Sequence, residues 1–146
     1  MTRHSFAPII AAALAVLAAP AIAQVADPKS LCEQQTTAIA REDSKLAIQL
    51  AQNGASVPLT ADYKKFLTKA VEEIKGIYGP PNAVQLSGSV GEMGEVSGYF
   101  ILSYSLNGNP LYFVCSVAQT KAGPWMVTHT TYNSHLGPLL QTAFKR

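Results

Sequence analysis

The chain has 146 residues, with eleven Lys and Arg against nine Asp and Glu, and a formal net charge of +2 at pH 7. So slight a basic excess gives no electrostatic footprint for a nucleic acid or a strongly anionic surface. The composition is 48% hydrophobic, but much of that sits in one N-terminal run.

That run comes first in the chain. Met1 to Ala23 carries basic Arg3, an apolar stretch from Ala7 to Ala19, and then Ala21-Ile22-Ala23. This is the pattern of a cleaved secretory signal peptide. The apolar stretch falls short of the roughly 20 residues that span a bilayer, and no Cys follows the site for lipid attachment. The expected mature chain is a single domain over residues 24–146, periplasmic or secreted, with no membrane span after signal removal. Two cysteines remain, Cys32 and Cys115. An even count in an exported chain implies a disulfide, and only one pairing exists.

Asp27-Pro28 reads as an N-cap followed by Pro at the first helical position, with Ser30-Leu31-Cys32-Glu33 a competing capping box. A helix follows to about Gln52 on a thin stripe of Leu31, Ala38, Ile39, Leu46, Leu50 and Ala51. Arg41-Glu42-Asp43 interrupts that stripe, so one long helix is expected, bent or broken near Ser44 and ended by Asn53-Gly54. Thr60 caps a second helix. Tyr63, Phe66, Leu67, Ala70, Val71, Ile74 and Ile77 form its apolar face, and the Lys/Glu run opposite is a solvated face. Tyr78-Gly79-Pro80-Pro81 ends it.

Strands come next. Ala83 to Val90 alternates, with Val84, Leu86, Gly88 and Val90 on one face, and Gly91-Glu92-Met93-Gly94 reads as a flexible connection. Val96 to Leu106 and Leu111 to Gln119 form a hairpin over Asn107-Gly108, the strongest short hairpin signal. Its core face is Phe100, Leu102, Tyr104 and Leu106 against Leu111, Phe113, Cys115 and Val117. A slip of two residues leaves that face intact. The fourth strand runs from Trp125 to Asn133. A four-residue loop before it would put Met126, Thr128, Thr130 and Tyr132 on the Cys115 face. A five-residue loop would put Trp125, Val127 and His129 there, and the larger apolar burial favours this second register. A short terminal helix is expected within Pro138 to Phe144. The predicted fold is α+β: two N-terminal helices packed on a four-stranded antiparallel meander sheet.

Three stretches carry a resemblance: the Tyr78-Gly79-Pro80 helix exit, Gly98-Tyr99-Phe100 with Leu102-x-Tyr104, and Gly123-Pro124-Trp125-Met126-Val127. With them the chain resembles small exported members of the nuclear transport factor two-like, cystatin-like group, over about half the mature chain. The resemblance implies helices packed into a curved, cone-like sheet. It does not choose a function, because that group holds enzymes and binding modules alike. Enzymatic members use an Asp in the cone, and here the last acid of that kind is Asp62, before the sheet.

Catalysis needs a titratable group on a rigid element. His129, mid-strand, is the candidate, paired with a tyrosine. His135 lies in a loop, and no third ligand at motif spacing supports a metal site with His129. No phosphate loop or nucleophile elbow appears, so no cofactor is expected. Tyr99, Tyr104, Tyr112 and Tyr132 interleave with serines, a surface chemistry suited to recognition. With His129 they form the candidate ligand-binding set. The favoured reading is a non-enzymatic exported domain that binds a partner protein or a small apolar ligand. The alternatives are an isomerase- or hydratase-type enzyme using His129, and a protein that self-associates as a homodimer through its open sheet face.

Overall fold

The computed structural model describes residues 27–53, 55, 58–119 and 123–144. The predicted leader and the basic Lys145-Arg146 tail lie outside them. The elements are α1 (Pro28–Ala40), α2 (Ser44–Ala51), α3 (Ala61–Tyr78), β1 (Val84–Met93), β2 (Ser97–Leu106), β3 (Asn109–Gln119), β4 (Trp125–Asn133) and α4 (Leu136–Ala143). The sheet is an antiparallel meander in the order β1-β2-β3-β4. The fold is α+β.

Helical residues before the sheet form three helices, where two were expected. Asp27 caps α1 through Ser30 N–H to Oδ2 at 2.6 Å. The helix ends in a Schellman motif: Asp43 N–H donates to Ala38 O at 2.8 Å and Glu42 N–H to Ile39 O at 3.1 Å. Glu42 takes the left-handed conformation usually given to glycine, with φ 62°. Asp43 then caps α2, its Oδ1 accepting from Leu46 N–H at 2.9 Å. The charged triplet thus reverses the chain. Thr60 caps α3 through Tyr63 N–H at 3.2 Å. Leu67, Ala70, Val71 and Ile74 are its buried residues, whereas Ile77 is 65% exposed.

The hairpin has its two-residue turn. Asn107 and Gly108 have φ of 53° and 84°, and Phe100 pairs with Cys115 and Leu102 with Phe113. Phe100, Leu102, Tyr104, Leu106, Leu111, Phe113, Cys115 and Val117 are all buried in the core that the helices cover. Cys32 in α1 and Cys115 in β3 are bridged, with Cα atoms 5.9 Å apart.

Both edge strands depart from simple alternation, and each does so through one extra residue. In β1, Leu86 pairs with Tyr104 but Gly88 with Ser103. Ser87 is the bulge, and it switches the faces of all that follows. Val90 therefore lies outward and is 70% exposed, not beside Val84 and Leu86 as expected. Gly91 takes the inward place, where a Cβ would lie 2.2 Å from the Phe100 ring. Gly91 to Met93 belong to the strand, not to a flexible connection. In β4, Val127 pairs with Val117 but His129 with Ser116. Thr128 is the extra residue, so both predicted registers hold, each for half the strand. Trp125 and Val127 pack toward the core, as do Thr130 and Tyr132, while His129 is turned outward.

The outer face of the sheet is not fully open. Val114 and Leu139 of α4 are both buried there. Phe144, just past α4, packs at a tilt against Tyr99 with ring centroids 4.6 Å apart.

Candidate functional site

Helix α1 carries two stripes. Leu31, Cys32, Gln35, Thr36 and Ile39 are buried. Ser30, Glu33, Gln34, Thr37, Ala38 and Arg41 follow the i, i+3, i+4, i+7, i+8, i+11 spacing of one helical face, and all of them line a groove of about 510 Å³. Asp43 at the start of α2, Leu46 and Leu50 within it, and Leu86 of β1 complete it. Leu50 is buried, but Leu46 and Leu86 are 38% and 37% exposed, so apolar side chains stand open along the middle of the groove. Eleven residues of α1 make it roughly 16 Å long.

The two ends differ. β1 runs antiparallel to α1 here, and Ser89 Oγ donates to Glu33 Oε1 at 3.4 Å, while Lys29 Nζ lies 3.6 Å from the same oxygen. These contacts wall one end. At the other end Arg41 is exposed and, among the described residues, has no ion-pair partner. A second cleft of about 340 Å³ continues past it, lined by Arg41, Pro81, Asn82, Ala83 and Val84.

The candidate tyrosines and His129 are not gathered at this groove. Tyr104 is sealed in the core. Its hydroxyl lies 2.7 Å from Thr36 Oγ1 and 3.0 Å from Thr37 Oγ1, and donates to Glu33 O at 3.2 Å. Burial raises its pKa, partly offset by the two threonines. Tyr104 braces the groove wall from behind. Tyr132 shares the inner side but donates to Glu73 Oε2 beside a smaller cavity of about 280 Å³ with Ile74, Ile77 and Leu111. Burial, then the Glu73 carboxylate, pushes Tyr132 far above an ordinary phenol. Tyr99, Tyr112 and His129 lie on the outer face. Tyr99 donates to Glu92 Oε2 at 2.8 Å, and that bond raises its pKa. His129 is exposed and faces Ser116, with Tyr99 one strand further on, about 10 Å away at the usual strand spacing. It has no phenol beside it of the kind an isomerase or hydratase pairing requires.

A buried polar cluster lies between α1, α3 and β4. Thr130 Oγ1 donates to Gln35 Oε1 at 2.9 Å. Gln35 Nε2 and the Tyr63 hydroxyl nearby find no partner, and burial raises the Tyr63 pKa despite the proximity of Thr130 and Gln35. No group of three His, Cys, Asp or Glu among the described residues could hold a metal ion.

No protein-family model, curated protein or solved structure matches the chain. The groove therefore rests on its own geometry. Its sequence signal was a second, polar periodicity in α1, readable only once the helix is known to stop at Ala40 and α2 to fold back beside it. No helix among the described residues is long and apolar enough to cross a membrane.

Proposed function

We propose that this is an exported, non-enzymatic binding domain whose groove along α1 takes up a small apolar ligand. The observation that carries the reading is the exposed Leu46–Leu86 pair within a groove whose volume falls in the range of small-molecule sites. Titration with the uncharged apolar dye Nile red tests it. A saturable, one-to-one fluorescence rise that Leu46→Asp and Leu86→Asp each remove is the expected result. A linear, non-saturating response would overturn the assignment. Export is supported by the Met1–Ala23 pattern and by a disulfide that needs an oxidising compartment. Fractionation should recover a chain beginning near Gln24 from the periplasm or medium, and a full-length cytoplasmic product would refute export.

The order of helices followed by a meander supports kinship with the nuclear transport factor two-like, cystatin-like group and a cone-like wrap of sheet on helices. An experimental structure with a flat sheet would remove that kinship. A second reading, self-association, is favoured by the edge strand β1. Its ten residues include no Lys, Arg or Pro to discourage strand pairing, and Val90 is exposed upon it. We place the contact at this edge, since α4 covers part of the outer face. Gel filtration of Val90→Lys should then show a smaller species than wild type, and identical monomeric elution would refute pairing.

A further inference from the structure

The geometry points to a single-chain anionic amphiphile as the groove's ligand, with its hydrocarbon chain laid along α1 and its head at Arg41. This rests on the groove being a ligand site, and adds what kind of ligand it takes. The first argument is shape. The groove follows one stripe of α1, roughly 16 Å long, between α2 on one side and β1 on the other, so the space is elongated.

The second argument is the order of polarity along it. The end at Glu33 is closed by the Ser89 hydroxyl and Lys29. The middle is Ala38, Leu46, Leu50 and Leu86. The far end is a cation that opens into a second cleft beside Asn82. An apolar chain with its polar head at the open, cationic end fits that order of surroundings, and a compact ligand does not fill it.

The third is charge. Glu33 is paired with Lys29, and Asp43 turns one carboxylate oxygen to the Leu46 N–H as the cap of α2. Arg41, exposed at the open end, has no ion-pair partner among the described residues. A guanidinium binds carboxylate or phosphate oxygens through two parallel hydrogen bonds. A free carboxylate on a chain in monomeric solution is the occupant the groove commits to, since the site is a channel between elements and not a basic surface.

Calorimetric titration of the oxidised protein with sub-micellar decanoate and with decanol separates the possibilities. The expected result is saturable decanoate binding, decanol weaker by about tenfold or more, and loss of that difference in Arg41→Ala with decanol affinity unchanged. Raised salt should weaken decanoate only. Leu46→Asp should weaken both, with circular dichroism confirming that each variant is folded. If neither compound binds, the groove is not a ligand site and both readings fall. If the two bind equally and Arg41→Ala changes nothing, the groove stands and the anionic head is refuted. Flotation with phosphatidylglycerol vesicles that Arg41→Ala abolishes, without decanoate binding, would instead assign Arg41 to a membrane surface and overturn the proposal.

Discussion

Breaking the Cys32–Cys115 bridge should bring this domain to the margin of stability. The bridge joins residues 83 apart in sequence. In the chain-entropy model a loop of that size restricts the unfolded chain by about 4.5 kcal/mol at 25 °C. Native domains are stable by only about 5–15 kcal/mol, so the loss is a large share of the whole. Both sulfurs are fully buried, and paired alanines would also leave small voids beneath α1. For a domain of this size the melting temperature should fall by about 15–20 °C. The test is calorimetry of wild type, of wild type unfolded and refolded with reductant, and of Cys32→Ala with Cys115→Ala. The unfold–refold step matters because reductant cannot reach the buried bridge in the native state. Free-thiol titration under denaturing conditions should give no thiols before reduction and two after. A melting temperature within about 3 °C of wild type in the double variant would refute the reasoning. It would mean that the reduced chain retains enough structure to make the cross-link redundant.

Three further outcomes follow from individual contacts. Tyr104→Phe deletes a buried hydroxyl with three partners, so urea denaturation should show a loss of about 1–3 kcal/mol while Nile red affinity stays unchanged. A selective loss of dye binding would make Tyr104 a ligand contact instead. Asn107 accepts from Asn82 and Ala83 N–H and donates to Tyr78 and Pro80 O, at 2.8–3.2 Å, latching the exit of α3 to the β2–β3 turn. Asn107→Ala should cost about 1 kcal/mol more than Asn107→Gly, because alanine also bears the positive φ; equal stabilities would discount the backbone argument. Finally, burial raises the pKa of Tyr63, Tyr78, Tyr104 and Tyr132 above the ordinary 10.0. The unfolded chain then loses these protons first. Their stabilising effect is intact below pH 10 and is lost as pH rises toward the folded values. Urea midpoints should fall from pH 9 to pH 11, less steeply in Tyr132→Phe, and a flat profile would contradict this.

The parts of the fold that were legible in the sequence are those where one local signal had no competitor. Asn107-Gly108 between alternating runs fixed the β2–β3 register, and with it the whole core face from Phe100 to Val117. The periodicity of α3 was equally plain. The outer strands were misread for a common reason. A bulge adds one residue without any mark in composition, so Val90 and His129 each appeared on the face opposite to the one they occupy. Serine and threonine at 87 and 128 fit a bulge and a regular strand equally well. The break between α1 and α2 was half-visible in Arg41-Glu42-Asp43. What could not be read was that Glu42 would bear a left-handed conformation, held by Lys75 across to α3 at 3.1 Å. The tyrosines were singled out as site residues by chemistry alone, and chemistry does not say which face of the sheet is covered.

The groove follows from those same irregularities. The bridge at Cys32 draws α1 onto β3, in the middle of the sheet, so α1 leaves Leu86 of edge strand β1 partly uncovered. The Schellman turn at Glu42 then sends α2 back alongside α1, which makes a trough of what would otherwise be an open shelf. The Ser87 bulge leaves Leu86 as the apolar residue of β1 that lines the trough, because the next inward residue is Ser89, which bonds to Glu33. Each device has a purely structural purpose where it stands: a cross-link, a helix stop, an edge-strand bulge. Together they leave two leucines partly open to solvent at the middle of a trough and, among the described residues, an exposed arginine without an ion pair at its mouth. Apolar side chains scattered singly over a surface are ordinary, but these two keep over a third of their surface open within one concave trough. That the two leucines share one trough, beside Ala38 and Leu50, is the reason to read it as a binding site.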